Sequence, residues 1–243
     1  MIRAVTVASL LGFVGCASSV APSFGDSAVP LDIVNDGGIN VGTDAVGAPD
    51  VARDTGVVDA GRVTYRNDFD DPSAAVPEWS SRTISRTPTG NRSFLGPIGR
   101  GVTQLTVDGW APHRTMAVSL TLFVIGSWDG NLAGQGPDIW ELRTRGSAPI
   151  VHTTFANLDG AEITQSFPDE FPAGRHRSGA GATSRDTLGY FYVFRQMNAV
   201  YRIVRRFPHT DPTLVLEFDS EDGEASNRDE EWGLDEIAIV ADP

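Results

Sequence analysis

The sequence contains no lysine and only one cysteine. All 19 basic residues are arginines, against 32 acidic residues, so the formal net charge is −13. A chain this acidic is repelled by phosphate backbones and anionic lipid, which argues against a nucleic-acid partner and against electrostatic docking on a membrane. Because Cys16 is the only cysteine, an intrachain disulfide is excluded. The acidic balance suits divalent cations and neutral sugars.

Residues 1–15 have the pattern of a signal peptide. Arg3 is followed by a mainly apolar run over residues 4–14. This run is shorter than the roughly 20 residues that span a bilayer as a helix. The following Gly15-Cys16 pair resembles the lipobox of bacterial lipoproteins, where a small residue precedes an invariant cysteine. The resemblance implies cleavage before Cys16 and attachment of several acyl chains to it. The alternative is an ordinary signal peptide with an unrelated cysteine.

Residues 16–62 are expected to form a disordered tether behind the lipidated Cys16. Residues 17–62 hold seven Asp against two Arg, no Glu, and Phe24 as the one aromatic. Such a segment buries too little apolar area to offset the entropy of ordering. A calcium-binding repeat is the alternative, but the irregular Asp spacing favours a solvated linker. Ala17 stands where an aspartate often signals inner-membrane retention, so we expect an exported protein anchored to the outer membrane or surface of a bacterium.

Residues 63–243 have the composition of one globular domain, with all five Trp and all four Tyr. Short runs of β-formers are separated by Gly, Pro, Asn and Asp, and no long amphipathic helix is evident. The pattern predicts an all-β domain, an antiparallel two-sheet β-sandwich of the jelly-roll type. The predicted strands are 63–69, 102–107, 116–128, 138–144, 150–155, 188–194, 199–207, 213–218 and 234–240.

Clusters of acidic residues in the predicted turns indicate a calcium site. Calcium takes six to eight oxygen ligands, which turns rich in Asp, Asn and Gly supply. Since the first and last strands of a jelly roll are commonly neighbours, residues after the first strand are expected near the last. Solvated turn residues are the alternative, because Asp and Asn favour turns for their own hydrogen bonds. The candidate ligands are Asp68, Asp70, Asp129, Asp138 and Asp235.

Several short runs of the domain resemble β-sandwich domains of bacterial surface proteins. These domains look like concanavalin A-like or carbohydrate-binding-module jelly rolls, and the likeness covers roughly residues 63–242. It implies the fold more than an activity, with glycan binding as the natural expectation. The runs that carry it are 127–130, 136–138, 153–155, 188–190, 207–210 and 231–235.

Aromatic side chains are the candidates for a sugar platform. Sugars stack their apolar faces on aromatic rings, while nearby polar groups fix specificity. We expect a platform among Trp128, Trp140, Tyr190 and Tyr192. The alternative for each of these residues is a place in the hydrophobic core. If Trp128 and Trp140 are core residues, the platform that they define is wrong.

No catalytic residue is predicted. The chain has no Gly-x-Ser-x-Gly motif, and its four histidines are dispersed without zinc-site spacing. The acids Glu231, Asp235 and Glu236 do not match the paired pattern of jelly-roll glycosidases. The sequence therefore favours a tethered glycan-binding module stabilised by calcium. A structural envelope protein without a small ligand and a glycan-active hydrolase or lyase are the alternatives, and the oligomeric state stays open.

Overall fold

The computed structural model describes residues 63–71, 73–221 and 229–243. The predicted signal peptide, Cys16 and the tether lie outside the described residues. Within the described part, no helix is long and apolar enough to cross a membrane. The described strands are β1 Val63–Asn67, β2 Ile84–Arg86, β3 Ser93–Ile98, β4 Thr103–Asp108, β5 Thr115–Gly126, β6 Ile139–Thr144, β7 Pro149–Thr154, β8 Thr164–Gln165, β9 His176–Arg177, β10 Ser184–Arg185, β11 Phe191–Tyr192, β12 Arg195–Gln196, β13 Asn198–Pro208, β14 Thr213–Glu221 and β15 Glu230–Asp242.

The larger sheet has the strand order β10-β13-β5-β15-β3-β2, and all its pairs are antiparallel. The long strand β15 pairs with β5 along one edge. Its other edge is shared, because β3 lies beside its first half and β1 beside its second half, with Asn67 opposite Ile237. The first and last strands are thus neighbours, as expected for this type of sandwich.

The smaller sheet has four antiparallel strands in the order β4-β14-β6-β7. Residues alternate across it because successive side chains of a strand point to opposite faces. Leu214, Leu216 and Phe218 of β14 are buried inward, while Glu217 and Asp219 lie on the outer face. Two further two-stranded pairs, β8–β9 and β11–β12, lie outside both sheets.

One hydrophobic core joins the two sheets. From the larger sheet it takes side chains such as Leu122 and Ile203, and from the smaller sheet Trp140 and Leu216. The opposite face of β5 is also covered, by a small cluster that contains Phe94, Phe123, Ile125, Leu188 and Val200. Each fully buried aliphatic or aromatic side chain stabilises the fold by about 1.5–3 kcal/mol. The predicted all-β, antiparallel two-sheet sandwich is confirmed.

The strand prediction was wrong in two places. Residues 188–194 do not form one strand, since only Phe191 and Tyr192 pair, within the short hairpin β11–β12. Strand β3 was missed because its Gly96-Pro97 pair is typical of a turn. Gly96 fits there because it has a φ of 136°, and a Cβ on it would lie 2.9 Å from the Trp232 carbonyl oxygen.

The pairing of β5 with β15 defines two ends of the sandwich. Thr115 opposes Asp242 at one end, and Gly126 opposes Glu230 at the other. Strand β1 begins at the first end, with Val63 opposite Val240. We call the Gly126–Glu230 end the distal end, because it lies opposite the start of β1.

Candidate functional site

Trp128 and Trp140 are core residues, which corrects the predicted sugar platform. Their relative exposures are 1% and 0%. The Trp128 indole N–H donates to the carbonyl oxygens of Ile125 and Glu231, both at 3.1 Å. The Trp140 ring packs edge-on against Phe155 and Trp232, at centroid distances of 6.4 and 6.1 Å. Neither ring can stack on a sugar without unfolding the end of the sandwich.

Two of the predicted calcium ligands do come together at the distal end. Asp129 and Asp138 are buried, and with Glu230 they place three carboxylate oxygens within 4.8 Å of one another. One Asp138 oxygen accepts hydrogen bonds from the backbone N–H groups of Asp129 and Gly130, the latter at 3.1 Å. The 127–138 loop therefore folds around the Asp138 side chain. We call Asp129, Asp138 and Glu230 the carboxylate cluster.

The other three predicted ligands lie elsewhere, which corrects the proposed ligand set. Asp68 and Asp70 are exposed in the loop after β1, and Asp68 Oδ1 accepts a hydrogen bond from the Asp70 N–H at 3.3 Å. Asp235 is buried and pairs with the Arg92 guanidinium at 2.7 Å. Burial, partly offset by Arg92, raises the pKa of Asp235. These three carboxylates take no part in the cluster.

Glu230 was missed because the register of β15 against β5 decides which acid reaches the cluster. The acidic tract 217–236 contains ten carboxylates, and the sequence does not indicate which of them opposes Gly126. Gly126 has a φ of 89°, and a Cβ on it would lie 1.6 Å from the Asp229 carbonyl oxygen. Only glycine permits this close approach, so Gly126 itself is the one signal in the sequence for the contact between β5 and the start of β15.

The donor set of the carboxylate cluster fits a hard divalent cation. Calcium prefers carboxylate oxygens, and these three side chains supply only that kind of donor. The remaining ligands of a six- to eight-coordinate ion would be backbone carbonyls or water. Trp128 and Ser220 line a narrow space beside Asp138 and Glu230. A cation here would hold the 127–138 loop, β6 and the start of β15 together.

The hairpin β11–β12 projects exposed apolar side chains from the domain. Phe191 is 68% exposed, Val193 69% and Phe194 95%. Tyr192 opposes Arg195, so Val193 and Phe194 form a two-residue loop, and Val193 has a φ of 58°. This conformation is unusual for a β-branched residue and costs on the order of 1–3 kcal/mol. We call residues 190–195 the aromatic hairpin.

The aromatic hairpin is attached at the distal end. The Met197 N–H donates to the Tyr190 carbonyl oxygen at 3.0 Å, and the Gly126 N–H donates to the Met197 carbonyl oxygen at 2.9 Å. The Tyr190 ring packs edge-on against Phe94 at 6.4 Å. The two predicted tyrosines therefore lie at the same end as the carboxylate cluster. Phe191 and Phe194, the most exposed rings, were not among the predicted residues.

Two carboxylates adjoin the tyrosines. Asp229 lies beside the Tyr192 hydroxyl and raises the pKa of this tyrosine. Asp229 is held in turn by the Ser127 hydroxyl, which donates to its Oδ2 at 2.7 Å. Burial and then the charge of Glu231 raise the pKa of Tyr190 to about 12. Burial also raises the pKa of Glu231 itself.

A second group of charged residues lies on the outer face of the smaller sheet. Glu217 Oε2 accepts from Arg143 Nε at 2.9 Å, and its Oε1 accepts from the Gln104 amide at 3.0 Å. Arg143 also bonds Glu141, whose other oxygen lies 3.0 Å from His152 Nδ1. We call this group the sheet-face network, whose members are Gln104, Glu141, Arg143, Arg145, His152, Glu217 and Asp219.

No protein-family model and no curated protein matches the chain. The solved structures that resemble it include the carbohydrate binding module CBM6cm-2 from Cellvibrio mixtus lichenase 5A in complex with cellotriose. That module is 14% identical over 74% of this chain and 99% of its own, with a TM-score of 0.32. The Emp47p carbohydrate recognition domain is 10% identical over 76% and 99%, with a TM-score of 0.35.

The Agl-KA catalytic domain is 15% identical, over 76% of this chain and 29% of its own, with a TM-score of 0.30. By their descriptions, two of these three domains bind or recognise carbohydrate. The fold class of this chain follows from its own strand pairing.

Proposed function

We propose that this protein is a membrane-anchored β-sandwich that binds an extracellular or envelope glycan through the aromatic hairpin. The observation that carries the proposal is the exposure of Phe191 and Phe194 beside two tyrosines and two carboxylates. Aromatic rings stack on the apolar faces of sugars, and carboxylates accept hydrogen bonds from sugar hydroxyls. Both kinds of group meet at the distal end of the domain, although the platform is not built from tryptophan.

The membrane anchor is proposed from the lipobox-like Gly15-Cys16 pair. Two or more acyl chains give stable anchoring, whereas a single chain holds a protein only marginally. Labelling of cells with a tagged palmitate should mark the full-length chain. The Cys16→Ser variant should lose the label and leave the membrane fraction. A labelled Cys16→Ser chain would contradict the proposal.

Calcium in the carboxylate cluster is the third part of the proposal. Three buried carboxylates within 4.8 Å repel one another, and a divalent cation between them removes that repulsion. The ion would stiffen the loop that joins Trp128 to β6. Because Ser127 of that loop holds Asp229, an ordered loop would also position the carboxylate beside Tyr192. Calcium is thus proposed as a structural support for the glycan surface.

The glycan proposal is tested by binding of the full-length chain to a panel of immobilised oligosaccharides. We expect saturable binding, and a loss of at least about tenfold in affinity when Phe191 and Phe194 are both changed to Ala. Val102→Ala is the matched control, because Val102 is an exposed apolar residue outside the hairpin. Unchanged binding by the double variant would contradict the proposal. Failure to bind any glycan would favour a structural protein whose apolar hairpin packs against another protein.

A hydrolase remains the second candidate function, and one observation favours it. Asp219 and Glu217 lie two residues apart on the outer face of β14, and their pKa values move in opposite directions. Burial raises the pKa of Asp219, while the hydrogen bond from Arg143 lowers that of Glu217. A glycosidase needs such a proton donor beside an ionised partner. New reducing ends formed by the native chain and by Asp108→Asn, but not by Asp219→Asn, would establish this activity.

A further inference from the structure

The surroundings of the aromatic hairpin are negative. Asp229 lies at the Tyr192 hydroxyl and Glu231 lies near Tyr190. Among the described residues, the guanidinium groups of Arg185 and Arg195 both face Asp159, at 3.1 and 4.0 Å. An anionic ligand approaching the hairpin is therefore repelled, and a cationic one is attracted.

The aromatic rings reinforce this preference. The face of an aromatic ring is the negative end of its quadrupole and attracts an ammonium group within about 6 Å. Each tyrosine of the hairpin has a carboxylate neighbour, so a cation placed there meets a ring and a carboxylate together. The two phenylalanines carry no charge and offer apolar surface to the carbon skeleton of a ligand. The arrangement joins stacking surface to cation-attracting surface over a few residues.

We propose that the aromatic hairpin selects glycans that carry free ammonium groups, such as oligomers of unacetylated glucosamine. This inference rests on the glycan-binding function proposed above and names its substrate class. The sugar rings stack on Phe191 and Phe194. The ammonium groups lie against the tyrosine rings, with Asp229 and Glu231 as counter-charges. Neutral glycans gain the stacking and the hydrogen bonds of their hydroxyls but no charge pairing, and uronic acid polymers are repelled.

The experiment compares three oligomers of equal length by titration calorimetry with the full-length chain at low salt. The probes are oligomers of glucosamine, N-acetylglucosamine and galacturonic acid. We expect the glucosamine oligomer to bind roughly tenfold or more tightly than its acetylated form, with no measurable binding of galacturonate. Its affinity should fall as salt is added, because exposed charges are screened.

Variants separate this inference from the function on which it rests. Glu231→Gln should reduce glucosamine binding severalfold and leave N-acetylglucosamine binding unchanged, whereas Asp108→Asn, an exposed carboxylate on β4, should alter neither. Phe194→Ala should weaken both ligands. Equal affinity for the charged and acetylated oligomers would overturn the inference while the glycan-binding function stands. No binding of any oligomer would overturn the proposed function as well.

Discussion

Carboxylates are concentrated in two regions of this domain, and the two regions differ in how the charges are arranged. In the sheet-face network, acids alternate with arginines across neighbouring strands, so Arg143 contacts Glu141, Glu217 and Asp219. At the distal end, Asp129, Asp138 and Glu230 converge on one point and lie beside exposed aromatic rings. One region alternates acids with arginines across the sheet, and the other brings three carboxylates together at one point.

The difference teaches which carboxylates are available for binding. A carboxylate opposite an arginine already has its counter-charge, and its removal costs stability. In a convergent cluster the like charges repel one another, and this repulsion opposes the stabilising hydrogen bonds of Asp138. We therefore expect the sheet-face network to stabilise the smaller sheet, and we propose the distal end as the ligand-binding region. The predictions below test that division.

The largest loss of stability is expected on changing Trp140, which lies on β6 between the two regions. Asp138, a member of the carboxylate cluster, lies two residues before Trp140 in the sequence. Glu141, a member of the sheet-face network, lies directly after it. Because its ring is fully buried among Phe155, Phe218 and Trp232, Trp140→Ala should lower the free energy of unfolding by about 3–5 kcal/mol. Urea unfolding of the full-length chain measures this loss.

The control for Trp140 is Phe194→Ala in the aromatic hairpin. Phe194 also carries an aromatic ring, but it is 95% exposed, so its removal should change the unfolding free energy by less than about 0.5 kcal/mol. The contrast separates a core aromatic residue from a surface aromatic residue. Similar losses in the two variants would show that the hairpin packs against the domain.

A smaller effect is expected at the carboxylate cluster. Asp138→Ala removes the acceptor of two backbone N–H groups and should lower the unfolding free energy by about 1–3 kcal/mol. Calcium should raise the melting temperature of the native chain but not of Asp138→Ala or Glu230→Gln. At a hundredfold excess over Kd, binding to the native state stabilises it by about 2.7 kcal/mol.

Glu217→Gln is the control for calcium binding. This variant keeps the carboxylate cluster intact, so calcium should still raise its melting temperature. Loss of the response in Glu217→Gln would place the ion on the sheet face. An equal response in Asp138→Ala would also contradict the assignment. If calcium and EDTA give the same melting temperature for the native chain, the cluster holds no calcium.

The strands were easier to predict from sequence than the site. Alternation of apolar residues is strong in β5, β13 and β14, and it depends only on neighbouring side chains. The cluster depends on long-range register, which brings Asp138 of one sheet to Glu230 of the other. No local pattern distinguishes Glu230 from the nine other acids of the 217–236 tract. The sequence therefore indicated acidic turns but only part of the ligand set.

The aromatic residues were misassigned for a related reason. Tryptophan suits both a core and a sugar platform, and composition does not decide between them. The alternation of β6 points Trp140 and Leu142 inward, and Glu141 and Arg143 outward. Glu141 and Arg143 alternate with Trp140 and Leu142 along β6. These charged residues were the signal in the sequence that Trp140 faces the core. Alternation alone predicted one strand over residues 188–194. The chain instead forms a tight hairpin there, and this hairpin exposes the rings of Phe191 and Phe194.

The smallest effect is expected in the pH dependence of the sheet-face network. The Arg143 hydrogen bond lowers the pKa of Glu217 from its ordinary value of 4.5. A carboxyl group with a lowered folded-state pKa contributes stability above its unfolded-state value, and this contribution is lost as the pH falls through the folded-state value. Stability of the native chain should therefore decline below about pH 4.5 partly through Glu217.

Glu217→Gln tests this by removing the charge while keeping the shape of the side chain. The variant should be less stable than the native chain by about 1 kcal/mol at pH 7, and the difference should shrink as the pH falls toward 3. Urea unfolding at several pH values measures the difference. If it stays constant with pH, Glu217 does not titrate with folding. The ion pairs of Glu217 would then not stabilise the smaller sheet, and the proposed difference between the sheet-face network and the distal end would be wrong.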